Sequence, residues 1–220
     1  MAAMAKEEME SVQSSEQART FWMAGVLCAV GGASWLVNGM VNGVVSLVTS
    51  QPYGVISPPY GMVFAIADIF WVVIQSLLLI GVVGLVLSGA APGWFGGIAL
   101  GLALLGRVDF VVAEIHSLIN VLTIGEDTSV LLPLGALTTA VGMTLVGIAV
   151  LRAKRWGGWQ RFTPFLAGIY PFVAMFPFIF ITSEPNALAI AGWGLPWLLL
   201  GYALWSSAGE RRTPWSAPAQ

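Results

Sequence analysis

The sequence predicts an all-α integral membrane protein, a bundle of six transmembrane helices. Of its 220 residues, 57% are hydrophobic and 9% are charged, and the mean hydropathy is +0.84. An ordinary soluble domain carries about 25% charged residues. The apolar residues fall in runs of roughly 20 or more, without the alternation of barrel strands. The polar residues are too few to form the surface of the folded chain. We therefore expect membrane lipid to surround it.

Six apolar runs are long enough to span a bilayer, and recognisable turns separate them. They cover 20–48, 60–88, 94–122, 130–152, 162–182 and 187–207. The breaks are rich in Gly, Pro and Ser at 49–59, 88–93 and 183–186, acidic at 125–128 and basic at 152–161. Together these runs predict one transmembrane domain over 20–207, with polar tails at 1–19 and 208–220.

The basic residues predict the orientation of the spans. Outside the third span they are Lys6, Arg19, Arg152, Lys154, Arg155, Arg161, Arg211 and Arg212. The connections that follow spans one, three and five carry neither Lys nor Arg. Basic loops remain on the cytoplasmic side, so we expect both termini in the cytoplasm of a cell with a bacterial-type plasma membrane. Five tryptophans are expected to form a belt at that boundary: Trp22, Trp94, Trp156, Trp159 and Trp205.

The third span holds an unusual group of polar residues. Arg107, Asp109, Glu114, His116 and Asn120 lie within an otherwise apolar run. Each charge at mid-bilayer costs about 2.5–3.5 kcal/mol on insertion scales. Helical spacing places positions 107 and 114 on one face and positions 109, 116 and 120 on a nearly opposite face. With polar groups on two sides, this helix is expected at the centre of the bundle or beside a cavity.

Neighbouring spans add polar residues at a similar predicted depth, namely Asp68, Asn38 and Asn42. The acids Asp68, Asp109 and Glu114 outnumber Arg107, which is the only Lys or Arg in the interior of the predicted spans, since Arg152 is the last residue of the fourth. Unpaired carboxylates in a low dielectric favour the protonated form or a bound cation. We expect Asp68 to be the cross-helix partner of Arg107. The candidate site for a proton, a cation or a small-molecule ligand comprises Asp68, Arg107, Asp109, Glu114, His116, Asn120, Asn38 and Asn42.

Spans five and six contain helix-breaking residues. Pro171 and Pro177 interrupt span five, and a Gly-rich segment ending at Pro196 interrupts span six. Each proline leaves the carbonyl four residues before it without its helical partner. Such carbonyls coordinate ions in some transporters, but an ordinary kink is the favoured interpretation, because Gly and Pro are frequent in membrane helices. Two small-residue series, Gly39/Gly43 and Gly93/Gly97/Gly101, are expected to allow close helix packing within the bundle, and a homo-oligomer stays open.

The sequence contains no catalytic, phosphate-binding or haem-binding signature, so it favours a protein that is not an enzyme and predicts no cofactor and no metal. The net charge of −2 argues against nucleic acid as a partner. Cys28 is the single cysteine and is expected to be buried and inert. A small transporter or a proton- or cation-coupled permease is the favoured function. The alternatives are a membrane scaffold or regulatory subunit, and an intramembrane enzyme that acts on a lipid or quinone through His116 and Glu114.

Overall fold

The computed structural model describes residues 2–49, 61–123, 131–182 and 186–210. For residues 2–15, 17, 42, 45–47, 49, 61–67, 120–123, 182 and 208–210 it describes the backbone alone. The turns predicted at 50–59, 125–128 and 183–185 lie outside the described residues, as does the tail from residue 211.

The described residues form helices joined by short turns, and no strand occurs among them. The helices are α1 (Ala2–Thr49), α2 (Gly61–Leu87), α3 (Gly93–Thr123), α4 (Leu131–Ala153), α5 (Thr163–Tyr170), α6 (Phe176–Thr182), α7 (Ala187–Gly192) and α8 (Gly194–Glu210). A 3₁₀ turn at Gln160–Phe162 precedes α5, and a π-helical turn at Pro171–Met175 joins α5 to α6. The polar segment before residue 20 continues into the first apolar run as one helix.

Five helical segments in the described part of the chain are long and apolar enough to cross a membrane. They are Ala18–Val41, Asp68–Leu87, Leu131–Ala153, Gln160–Ile181 and Ala187–Ser207. The prediction of an all-helical fold with helices suited to cross a membrane is therefore confirmed for the described residues, but the count of six spans is not. Helix α3 is not among the five; it has 31 residues and includes Arg107, Asp109 and Glu114.

The helices pack mainly against their neighbours in the chain and close into a ring. Helix α1 packs on α2, α2 on α3, α3 on α4, and α4 on α5. Helix α5 packs on α8, and α7 and α8 both return to α1. The interior of this ring is filled by buried side chains from several helices, which include Trp35, Leu78, Met143 and Trp197.

The contact between α1 and α8 depends on glycine. A Cβ added at Gly32 would lie 2.8 Å from the carbonyl oxygen of Gly194, and one at Gly25 would lie 2.9 Å from that of Gly201. Backbones approach this closely only where side chains are absent. Gly39 likewise packs on Ala191, and Gly43 on Ala187 and Leu188, as the sequence predicted.

The second small-residue series does not behave as expected. A Cβ at Gly93, Gly97 or Gly101 would meet no described atom within 4 Å. Gly97 and Gly101 belong to an exposed face of α3 that continues through Leu105 and Val112. These glycines therefore do not mediate packing within the described bundle, because this face of α3 points outward.

Helix α3 also departs from its predicted place at the centre of the bundle. It packs against α2 and α4, and its outer face presents apolar side chains such as Val108, Val112, Ile115 and Ile119. The inner face is buried from Ala99 through Arg107 and Phe110 to Ala113. Helix α3 is thus one wall of the ring, with Arg107 and Glu114 on its inner face.

The basic connection and several tryptophans meet at one end of the bundle. Arg155 Nη1 donates to the carbonyl of Gly89 at 2.9 Å, which ties the end of α4 to the turn between α2 and α3. The rings of Trp159 and Tyr202 stack with their centroids 5.8 Å apart. Trp22, Trp94, Trp159 and Trp205 are exposed, whereas Trp156 is buried and does not belong to the predicted belt.

Candidate functional site

Arg107 is the most deeply buried charged residue among the described side chains, with 0% of its surface exposed. Its Nη1 donates a hydrogen bond of 2.7 Å to Oε1 of Gln75 on α2, which is itself 1% exposed. The expected pairing of Arg107 with Asp68 is wrong. Asp68 Oδ2 instead accepts a 3.4 Å hydrogen bond from Ser117 Oγ. Ser117 lies about 15 Å beyond Arg107 along α3, at 1.5 Å per residue.

Four aromatic rings surround the Arg107 guanidinium. Its Cζ lies 3.9 Å from the centroid of Trp197, 5.2 Å from Phe110 and Trp193, and 5.9 Å from Trp35. Each desolvated cation–π contact contributes up to about 2 kcal/mol, so the rings partly compensate the buried charge. We call Arg107, Gln75, Trp35, Phe110, Trp193 and Trp197 the Arg107 cluster.

The Arg107 cluster contains more hydrogen-bond donors than acceptors. Arg107 Nε and Nη2, Gln75 Nε2 and Trp197 Nε1 are all buried, and none has a hydrogen-bond partner among the described residues. The acceptor Gln75 Oε1 already binds Arg107 Nη1. A buried donor without a partner costs about 1–3 kcal/mol, and more when it is charged. The arrangement can therefore bind a group that supplies acceptor atoms or negative charge.

The proline break in span five is joined to the break in span six. Pro171 has no N–H, so the carbonyl of Ala167 lacks its helical donor. Trp193 Nε1 donates to that carbonyl at 2.7 Å, and in the opposite direction the Tyr170 hydroxyl donates to the carbonyl of Ala189 at 3.0 Å. The indole of Trp193 thus supplies the donor that the Ala167 carbonyl lacks because of Pro171. This hydrogen bond argues against ion coordination at the same carbonyl.

Trp193 marks the break in span six itself. It separates α7 from α8, and its backbone N–H bonds the carbonyl of Ile190 at 3.2 Å in a tightened last turn. Trp35 Nε1 donates to the same Ile190 carbonyl at 2.7 Å. Pro196 falls in the first turn of α8, where a backbone N–H needs no partner within the helix. The break therefore directs the indole of Trp193 inward, onto Arg107 and Ala167.

The acids on α3 are separated from one another. Glu114 is 8% exposed and shares the inner face with Arg107, about 10 Å further along the axis. Asp109 is half-buried on the side that faces α4. Its Oδ2 is buried without a described partner, 2.8 Å from where a Cβ of Gly135 would lie.

His116 and Glu114 do not face the same space. His116 is exposed whereas Glu114 is buried, and two residues along a helix differ by about 200° in direction. This separation gives no support to an acid–base pair of these residues. Among the described side chains, no three His, Cys, Asp or Glu residues come together as metal ligands.

Of the three predicted asparagines, Asn38 is the one whose side chain the structure describes. Asn38 is half-buried on α1, next to the close contact of Gly39 with Ala191. The side chains of Asn42 and Asn120 lie outside the described residues, although both backbones are helical. The structure therefore brings Arg107 and Glu114 onto one inner face, and it places Asp109, Asp68 and His116 elsewhere on or beside α3.

Sequence reasoning missed the aromatic part of the cluster. A signal was present: Trp35, Trp193 and Trp197 lie within spans and not at their ends, unlike the belt tryptophans. Trp193 and Trp197 are four residues apart and Phe110 is three after Arg107, which are spacings that share a helix face. Tryptophan within a span, near the level of a buried arginine, indicates a cation–π centre.

No protein-family model matches the chain, and comparisons with curated proteins and with solved structures also find no match. The class of the protein therefore follows from its own fold and site. Its described part is all-helical, with five helices long and apolar enough to cross a membrane and a buried arginine, held by aromatic rings and one glutamine, inside a ring of helices.

Proposed function

We propose that the protein is a small multi-pass transporter or permease whose solute-binding site is the Arg107 cluster. In this proposal α3 also crosses the membrane, as the third span in chain order, and brings the number of spans from five to six. Its 31 residues extend over about 46 Å, more than the roughly 30 Å of a hydrocarbon core. Its exposed side is apolar apart from His116, and Arg107 and Glu114 are directed into the bundle, as expected for a span that carries functional charges.

The proposed orientation places both termini in the cytoplasm of a cell with a bacterial-type plasma membrane. Arg152 lies in the last turn of α4, and Lys154, Arg155 and Arg161 follow this helix, at the end of the bundle where exposed tryptophans gather. Positive charge and interfacial tryptophan both favour that end as the cytoplasmic boundary. In this orientation the apolar segment of α1, which starts at Ala18, begins at the same boundary, and α8 ends there.

The unpartnered donors of Arg107 carry this proposal. A static core would be expected to satisfy a buried charge, because unpaired charges within a membrane are costly. Arg107 Nε and Nη2 have no described hydrogen-bond partner, and Gln75 and Trp197 add further unpartnered N–H groups. A transport site must bind its solute reversibly, so its polar groups have to pair with the solute.

Glu114 and Asp109 are the proposed proton- or cation-carrying groups. Glu114 lies on the inner face that Arg107 occupies, and the Asp109 Oδ2 atom is buried without a described partner. Protonation would remove the cost of a carboxylate in low dielectric, which is the physical basis for coupling a proton to solute movement. His116 is the proposed proton relay to the outer surface of the bundle, because its side chain is exposed.

The test is uptake into proteoliposomes under an imposed pH gradient, with a panel of labelled small acids, amines and neutral solutes. We expect gradient-dependent uptake of at least one solute. Glu114→Gln and Asp109→Asn should reduce it at least about tenfold while helical circular dichroism is unchanged. Glu16→Gln, at an exposed position before the first span, is the matched control and should behave as wild type. Absence of uptake by folded wild-type protein, or unaltered uptake in both variants, would reject the proposal.

A membrane scaffold is the second candidate, and the joined breaks of spans five and six favour it. The bonds from Trp193 to Ala167 and from Tyr170 to Ala189 fix two helices that a transporter would have to move. On this hypothesis, Glu114→Gln and Asp109→Asn lower the free energy of unfolding, and no solute moves. The same two variants therefore separate the candidates.

A further inference from the structure

We propose that the Nε and Nη2 edge of Arg107 recognises the carboxylate of a small apolar organic acid. This inference rests on the proposed solute-binding role of the Arg107 cluster and adds the chemical class of the solute. It depends on the direction of the free donors, on the local charge and on the rings around them.

The direction of the donors fits two oxygens. In a guanidinium group the Nε–H and Nη2–H bonds point from the same edge and run nearly parallel. Arg107 uses its other nitrogen, Nη1, to bind Gln75 at 2.7 Å, so the two-donor edge is the part without a described partner. Carboxylates bind such an edge through two parallel hydrogen bonds, whereas a halide or a single carbonyl oxygen uses it less completely.

The local charge selects an anion with a single negative charge. Arg107 is completely buried, and no carboxylate of the described residues forms a hydrogen bond with it. A cation would be repelled strongly at this position, because Coulomb energies are large in a low dielectric. A dianion would leave one negative charge uncompensated, since Arg107 is the cluster's only charged group. A monocarboxylate balances the charge.

The rings select an apolar body. Trp35, Phe110 and Trp193 lie around the guanidinium, and Trp35 and Trp193 pack edge to face with centroids 5.4 Å apart. Aromatic faces and edges provide favourable contacts for an apolar or aromatic group. An acid with a short hydrocarbon or aromatic body, such as benzoate, matches both the donors and the rings.

The test is equilibrium binding of radiolabelled benzoate to the full-length protein in lipid nanodiscs at constant ionic strength, with unlabelled competitors. We expect saturable binding, competition by acetate and no competition by benzamide, which has the same shape without the negative charge. Chloride and inorganic phosphate at the same concentration should also fail to compete. This comparison uses only the wild-type protein, so it does not depend on the folding of any variant.

Two variants then locate the site. Arg107→Lys keeps a positive charge but loses the two-donor edge, and we expect at least a tenfold loss of benzoate affinity. Gln75→Glu places a carboxylate of nearly equal size beside Arg107, and the same loss is expected because the charge is then balanced internally. Arg155→Lys, at the exposed end of the bundle, should bind as wild type.

Equal competition by benzamide, or wild-type affinity in both Arg107→Lys and Gln75→Glu, would overturn the inference. Displacement of bound benzoate by chloride or phosphate as effectively as by acetate would overturn the carboxylate class. If carboxylates do not bind but the uptake panel identifies another solute, this inference fails and the proposed transport function stands. If benzoate binds through Arg107 but no solute moves, the binding site stands and the transport function fails.

Discussion

The indole Nε1 of Trp193 donates a 2.7 Å hydrogen bond to the carbonyl of Ala167, the carbonyl that Pro171 leaves without a helical donor. The reverse connection, from the Tyr170 hydroxyl to the carbonyl of Ala189, lies beside it. The breaks in spans five and six are therefore one structural unit. Trp193 also contacts Arg107, so this unit sets one wall of the Arg107 cluster.

Removing the Tyr170 hydroxyl should weaken this unit without altering its packing. Tyr170→Phe keeps the ring and deletes the donor to Ala189, so we expect a loss of about 0.5–1.5 kcal/mol in the free energy of unfolding. Denaturation in mixed micelles, followed by circular dichroism, measures it. Tyr202→Phe is the control, because Tyr202 is exposed, and it should change stability by less than about 0.5 kcal/mol. Equal effects of the two substitutions would show that the hydroxyl of Tyr170 does not hold the breaks together.

The contact between α1 and α8 should tolerate no added methyl group. A Cβ at Gly32 would overlap the backbone of α8, so Gly32→Ala should destabilise the protein by about 1–3 kcal/mol or prevent its folding. At Gly97 the same substitution meets no described atom within 4 Å and improves helix propensity. Gly97→Ala should therefore be neutral or slightly stabilising. A chemical unfolding series on both variants gives the comparison, and a similar cost at the two positions would contradict the packing described for α1 and α8.

Neutralising Asp109 should not cost stability. Its Oδ2 is buried without a described partner, so Asp109→Asn removes charge from a low-dielectric environment and should leave the protein as stable or up to about 3 kcal/mol more stable. Asp68→Asn provides the contrast, because Asp68 accepts a hydrogen bond from Ser117 and should lose about 1 kcal/mol. Unfolding in detergent measures both. A loss of more than about 2 kcal/mol in Asp109→Asn would favour the scaffold hypothesis instead.

Cys28 should be protected from thiol reagents in the folded protein. It is completely buried, packs on Gly81 and donates through Sγ to the carbonyl of Trp197 at 3.5 Å. We expect maleimide labelling at least about 100-fold slower than after denaturation, because only opening of the bundle exposes the thiol. Glu16→Cys in a Cys28→Ala background is the positive control, at an exposed position. Rapid labelling of native Cys28 would show that α1, α2 and α8 do not pack as described.

The sequence predicts those parts of the fold that depend on local composition. Apolar runs located the helix ends within a few residues, except for the start of α1, which begins at Ala2 within the polar tail. The seven-residue spacing of Arg107 and Glu114 predicted that they share a face, which agrees with their common burial. The break near Pro196 was also predicted, and it appears as the turn between α7 and α8. These properties follow from hydrophobicity, helical periodicity and proline chemistry within one segment.

The sequence does not predict which helices meet, or at what height. The choice of Gln75 over Asp68 as the partner of Arg107 depends on how far α2 is displaced along α3, and no local pattern encodes that displacement. The outward face of α3 at Gly97 and Gly101 depends in the same way on close packing elsewhere in the ring. Helix pairing is a property of the whole bundle, so polar residues of equal predicted depth do not necessarily come together.

A high-resolution map of the protein in lipid nanodiscs with sodium benzoate tests the role of Arg107 most directly. We expect non-protein density that places two oxygens about 2.7–2.9 Å from Arg107 Nε and Nη2, the range for charge-assisted hydrogen bonds. The bond from Nη1 to Gln75 should remain. A map in which the rings of Trp35, Phe110, Trp193 and Trp197 close fully over that edge, with no density beside it, would contradict a binding role and leave Arg107 as a structural cation.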